Sequence, residues 1–266
     1  MICLNSSCEP LVDKYRPRRL SEVRGQPEAI AALQSFVRMG KAHSSRFLLH
    51  GPTGTGKTAA AWALAYELGC PEEFPDLGGI HSIPSGCQDG RSVDELLRSL
   101  RFRPLFGSGW KVAIVNEADR MTENAETVWL DGLERLPFQT VVVFTTNEIG
   151  RLSDRLTSRC EIHEFSGSSP AFRRGLASLV RKVWKEETGL SAGRLPKGLG
   201  QFELASPDYS IRLALQQITP YLRQAKPLPE SFAVPMIRDT INGVSRDGSA
   251  AAKKAWQTRR QRERIA

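Results

Sequence analysis

The sequence predicts an α/β fold: a five-stranded parallel sheet flanked by helices, then a small helical domain and a basic C-terminal tail. Three observations carry that expectation. Short aliphatic or aromatic runs alternate with segments of helical spacing as far as Phe165. An octapeptide of Gly51, Pro52, Thr53, Gly54, Thr55, Gly56, Lys57 and Thr58 fits the pattern GxxxxGK[ST], between an apolar run at 47–50 and an alanine-rich stretch at 59–68. Beyond Phe165 the helical spacing continues but the strand-like runs stop.

Strands are predicted at 47–50, 79–83, 112–115, 141–145 and 161–165. Three of these are nearly continuous apolar runs, as expected where helices cover both faces of a parallel sheet. Helices are predicted at 57–68, 92–101 and 122–136. Ser92 followed by Glu95, and Thr122 followed by an acidic first turn, read as their N-terminal caps. The segment 167–170 breaks the pattern with Gly167 and Pro170, and further helices are predicted at 171–187, near 199–204 and at 208–222. Prolines, glycines and basic residues weaken regular structure from Pro227 on, apart from a helix at 250–262. The corresponding domains are 1–166, 167–225 and 226–266.

Composition excludes several classes. No stretch approaches the roughly 18 apolar residues of a membrane span, and the first residues lack the basic and apolar regions of a leader, so a cytoplasmic protein is expected. Cys3, Cys8, Cys70, Cys87 and Cys160 form no CxxC pair, which points to reduced structural thiols, without a zinc site or a disulfide framework. The formal charge of +8 is concentrated in residues 246–266, where seven Lys/Arg against two acids leave only +3 for the rest. Lys253, Lys254, Arg259, Arg260, Arg262 and Arg264 are accordingly candidate nucleic-acid contacts, with DNA as the expected partner; a solvated basic helix is the other reading. Arg98, Arg101 and Arg103 are open in the same way.

The octapeptide implies a bound nucleoside triphosphate. Backbone N–H groups of such a loop surround the phosphates, Lys57 reaches the β and γ oxygens, and the Thr58 hydroxyl ligates Mg²⁺ at a helix N-terminus. A second site follows the apolar strand at 111–115, where Asn116, Glu117, Ala118 and Asp119 occupy its end. This arrangement resembles that of P-loop ATPases, where an Asp placed there holds Mg²⁺ and its waters and a Glu polarises the attacking water. Asn116 takes the metal-side position with one negative charge fewer, Glu117 takes that of the base, and Asp119 is assigned to local hydrogen bonding.

Val12, Asp13, Lys14, Tyr15, Arg16, Pro17, Leu20, Glu22, Val23, Gly25 and Gln26, then the phosphate loop, the Asn-Glu-Ala-Asp run, Thr145-Thr146-Asn147 and Ser158-Arg159-Cys160 share an order and spacing. That series resembles the small subunits of clamp loaders, a branch of the AAA+ ATPases, over residues 10–222. The resemblance implies ATP and Mg²⁺ as ligands. It places Lys14, Tyr15, Arg16, Pro17 and Val23 around the adenine, Asn147 beside the lytic water, and Arg212 on the γ-phosphate from the same chain. Arg159 would enter the site of a neighbouring subunit as a finger, so that hydrolysis needs a homo- or hetero-oligomer with other AAA+ subunits. A sliding clamp or a helicase is the implied client.

Two departures shape the expectation. Asn116 stands where the family has Asp, which resembles its weakly hydrolysing members, and about 45 residues follow the last predicted helix of the resemblance, too few for the helical collar. Three function classes stay open: a DNA-stimulated ATPase and loader, a nucleotide-gated matchmaker, and a passive subunit that lends Arg159 to an active partner. A nucleotide kinase would need an acceptor site that the sequence does not offer.

Overall fold

The computed structural model describes residues 10–40, 44–190 and 210–225. Strands β1 (Ser45–His50), β2 (Ile80–Ile83), β3 (Lys111–Val115), β4 (Thr140–Thr146) and β5 (Glu161–Glu164) form one sheet in the order β2-β3-β4-β1-β5. Every neighbouring pair is parallel. All five strands stand where the sequence put them, with ends shifted by a residue or two.

The pleat explains the apolar runs. Phe47, Leu49, Val112, Ile114, Val141 and Val143 enter one core, beneath α2 (Pro27–Met39) and α3 (Lys57–Glu67). The intervening Leu48, Ala113, Val115, Val142 and Phe144 enter a second core on the other face, beneath α4 (Gly90–Ser99) and α5 (Glu123–Glu134). Successive strand side chains point to opposite faces, so a sheet covered twice needs apolar residues at both parities. In the second core the Trp129 ring meets Phe144 edge-on, centroids 5.0 Å apart. On the other side α3 buries Ala60, Ala61, Ala63 and Ala65, whose small side chains bring the helix close to the sheet. The edge strand β5 is largely exposed, and its Glu-Ile-His-Glu sequence shows it.

Two local expectations are corrected. Helix α4 starts before Ser92: its cap is Asp89, whose carboxylate accepts the Ser92 backbone N–H at 2.7 Å. An Asp at this position satisfies the orphan N–H as well as Ser does, and the helix gains a turn by using it. Helix α2 is absent from the sequence-based expectation, although Pro27 at its first position and buried Ala29, Ile30, Leu33 and Phe36 give it the right spacing. Thr122 does cap α5, accepting from Ala125 N at 3.1 Å.

The remaining helices are α1 (Leu11–Lys14), α6 (Asp154–Thr157), α7 (Pro170–Thr188) and α8 (Ile211–Ala225). Leu176, Val180, Val183 and Trp184 of α7 pack with Ala214, Leu215, Ile218 and Leu222 of α8 in a third core, joined by Leu11, Val12 and Tyr15. The helices expected near 199–204 and at 250–262, and the basic residues Lys253 to Arg264, lie outside the described residues. Among those described, no helix is long and apolar enough to cross a membrane. Cys70, Cys87 and Cys160 are free thiols, with burial pushing those of Cys70 and Cys160 up to about 12; Cys3 and Cys8 are outside the description.

Candidate functional site

Strand order assembles the site. The loop 51–56 leaves the carboxyl end of β1, Asn116 and Glu117 follow β3, and Asn147 follows β4; β3, β4 and β1 are consecutive in the sheet. Ligands of open parallel sheets bind at these carboxyl ends. A cavity opens there, walled by Thr53, Gly54, Gly56, Lys57 and Thr58 of the loop, by Glu117 and Asn147, and by Arg212 of α8.

The glycines of the loop answer to the protein as well as to a ligand. Gly51 has φ +135°, and a Cβ on it would lie 2.2 Å from the Phe165 carbonyl oxygen. Gly54 has φ +76°, and a Cβ there would lie 2.3 Å from the Ser210 Cβ. The chain closes on the loop at both places: Phe165 N donates to His50 O at 2.7 Å, and Ile211 N donates to Gly54 O at 2.8 Å. The start of α8 is thus hydrogen-bonded to the phosphate-type loop itself.

Lys57 is buried. Its Nζ donates to Gly51 O at 2.6 Å, Pro52 O at 2.8 Å and Asn147 Oδ1 at 3.0 Å. Burial lowers its pKa to about 8, against the opposing pull of Asp119 and Glu117 and with a smaller push from Arg212. A charged amine satisfied by neutral oxygens is poised for an anion.

Thr58 Oγ1 donates to Asn116 Oδ1 at 3.1 Å, and Asn116 Nδ2 donates to Ser82 Oγ at 3.2 Å. The two neutral oxygens suit a Mg²⁺ that keeps its waters and takes phosphate oxygens for the rest of its shell. Among the described residues no group of three His, Cys, Asp or Glu could hold a metal by itself. Glu117 has φ +51°, a left-handed conformation that costs a non-glycine residue about 1 kcal/mol. Its Oε2 accepts from Ser85 Oγ at 2.5 Å and pairs with Arg120 Nε at 3.2 Å. Ser85, just past β2, is not singled out by sequence reasoning, because only the sheet brings it beside Glu117. Asp119 has the local role expected of it: Oδ1 accepts from Thr146 Oγ1 at 2.7 Å and from Asn147 N at 3.3 Å.

The apolar side of the cavity is built by Val12, Tyr15, Pro17 and Val23 together with Leu179, Ile211 and Leu215. Arg16 is on this wall, but Lys14 is not: its Nζ pairs with Glu187 Oε1 at 2.5 Å. The same carboxylate accepts from Tyr15 Oη at 3.0 Å, and burial first, then Glu187, raises the Tyr15 pKa. Leu179, Ile211 and Leu215 carry no signal of a site, since in a sequence they read as ordinary helix apolar positions, and Val12 stands in the N-terminal series of the resemblance without being assigned to the site. Arg212 is exposed on the wall and makes no ion pair among the described residues. Arg159 is not on the wall; it bonds Arg155 O at 2.8 Å and Glu134 Oε1 at 2.7 Å.

Residues 72–169 match the family described as DNA polymerase III, delta subunit. The replication factor C small subunit of Archaeoglobus fulgidus is 31% identical over 188 residues, covering 68% of this chain and 57% of that protein. Replication factor C subunit 3 of Saccharomyces cerevisiae is 34% identical over 179 residues, covering 64% and 50%. The chain belongs to the clamp-loader branch of the AAA+ proteins. The chain thus spans only about half the length of these curated relatives, 57% of the first and 50% of the second. The fold is shared with a point variant of Thermotoga maritima RuvB, with a TM-score of 0.54 at 21% identity over 79% of this chain and 65% of that one.

Proposed function

We propose that the chain binds ATP and Mg²⁺ in this cavity and works as a nucleotide-gated switch on DNA, hydrolysing ATP at a junction between AAA+ subunits. The observation that carries the reading is Lys57 Nζ, buried, and shared between the loop carbonyls and Asn147 Oδ1 at the carboxyl edge of the sheet. A triphosphate supplies the anion this amine lacks. Tyr15, Pro17, Val23, Ile211 and Leu215 form an apolar slot for the flat base. Thr58 and Asn116 hold Mg²⁺, directly and through water. Glu117 takes a proton from the attacking water once its carboxylate leaves Ser85 and Arg120, and Asn147 orients that water. Arg212 senses the γ-phosphate and passes its state to α7 and α8, which act as a lid through the Ile211 to Gly54 hydrogen bond.

Arg159 belongs to the adjoining subunit's site in this reading, which explains why it lies off the cavity of its own chain. Client binding has a surface to use. Phe74 and Leu77 precede β2, Phe102, Leu105 and Phe106 precede β3, and all five are exposed. The Phe74 and Phe106 rings lie 6.0 Å apart, at the strand ends opposite the cavity. An apolar patch of this kind, beside Arg101 and Arg103, suits a protein client such as a sliding clamp or a helicase. A second reading, a weakly hydrolysing or passive subunit of a DNA-processing or defence complex, is favoured by the neutral Asn116 and by the ties on Glu117.

Arg159→Ala tests the reading. Phosphate release should fall on the order of 10³-fold, while ATP affinity stays within about twofold. Equal loss of binding would overturn the assignment to a neighbour's site. Phosphate release with and without DNA over a Mg²⁺ series separates the ATPase from the passive subunit.

A further inference from the structure

Arg159 has to project a long, flexible side chain across a subunit boundary. In this chain that side chain is already fixed at two points. Nη1 donates to Arg155 O, a carbonyl in the last turn of α6 that has no backbone partner in the helix, and Nη2 donates to Glu134 Oε1 at the end of α5. The two helices that carry these acceptors are themselves joined: Leu156 packs with Trp129 and Leu133, and Ser153 Oγ bonds Glu126 Oε1. Glu134 is the acid on which Arg159, Arg135 and Arg46 all act, and Arg159, through its hydrogen bond and then its charge, contributes most to holding the carboxyl below its usual range. Without that carboxylate Arg159 would keep only the Arg155 carbonyl as an anchor. A guanidinium carries five N–H donors, and two are used here, which leaves three to meet another ligand.

We propose that Glu134 is a positioning residue for Arg159: with the Arg155 carbonyl it holds the guanidinium extended on the α5–α6 face, its free donors turned to the triphosphate of the adjoining subunit. The proposal rests on the reading of Arg159 as a residue of the neighbour's site. The ion pair is exposed, with side-chain accessibilities of 33% for Arg159 and 59% for Glu134, so it can yield a donor to a more highly charged partner. Glu134 touches no nucleotide; it acts by reducing the disorder that Arg159 must lose on engagement.

The test is a cycle in the assembled oligomer. Glu134→Ala should lower kcat about tenfold with KM and melting temperature unchanged. Glu134→Gln, which keeps an acceptor, should recover most of the rate. Glu134→Ala added to Arg159→Ala should cost nothing further. A rate equal to or above wild type in Glu134→Ala, or an additive loss in the double variant, overturns the proposal; an Arg159→Ala variant with full activity would overturn the reading beneath it instead. Independently of turnover, the Arg159 Nη resonances of the isolated chain should show hindered rotation that Glu134→Ala abolishes. Free rotation in the wild-type chain would also overturn the proposal.

Discussion

Raising the pH from 7 to 9 should weaken ATP binding about tenfold, and the reason is the environment of one amine. Lys57 is 7% exposed and has no carboxylate within ion-pair distance among the described residues, and burial brings its pKa from 10.5 to about 8. At pH 7 roughly a tenth of the empty chains carry a neutral Lys57, and at pH 9 roughly nine tenths do. A bound triphosphate restores the charge, so binding takes up a proton wherever the empty site lacks one: about half a proton at pH 8 and almost none near pH 6.5. Titration calorimetry in buffers of different ionisation enthalpy reads both the affinity and the proton count. Folding has the opposite sign. An unfolded lysine binds its proton up to pH 10.5, so the burial cost of Lys57 is fully present below pH 8 and is relieved as pH rises between 8 and 10.5. The stability of the empty wild type relative to Lys57→Met should therefore climb by about 2 kcal/mol by pH 10, after discounting for residual solvent contact. An affinity that is flat between pH 7 and 9, with no proton uptake at pH 8, would refute the account of Lys57 as a cation held ready by neutral oxygens.

Two further substitutions probe other parts of the site. Asn116→Asp keeps an acceptor for Thr58 Oγ1 and adds a charge beside the metal, so it should lower the Mg²⁺ concentration needed for half-maximal phosphate release and raise the rate several-fold; an unchanged Mg²⁺ dependence would place the bottleneck elsewhere. Gly54→Ala should cost about 1–3 kcal/mol in thermal denaturation, since it adds a Cβ 2.3 Å from the Ser210 Cβ at a φ of +76°, and the companion Ser210→Gly should recover only part of that loss because the backbone strain remains.

What local pattern controls is readable in advance. The apolar runs of β1, β3 and β4 give away their burial because each lies between two cores, and Thr122 announces the start of α5. The exposed β5 carries a weaker signal, and α2 escapes the reading although its spacing is present. The octapeptide and the residues Asn116, Glu117 and Asn147 can be named from sequence, but the partners that tie them in place cannot: Ser85 on Glu117, Asn147 on Lys57, Ser82 on Asn116.

The sequence alone therefore determined most of the helices and strands, the phosphate-type loop and the chemical types available to it, because periodicity and turn chemistry act over a few residues. Only the tertiary structure decided that β3, β4 and β1 stand side by side, that Lys14 turns to Glu187 instead of the cavity, and that Arg159 rests against Glu134. Those outcomes depend on contacts between residues far apart in the chain, and such contacts leave no local spacing in the sequence to be read.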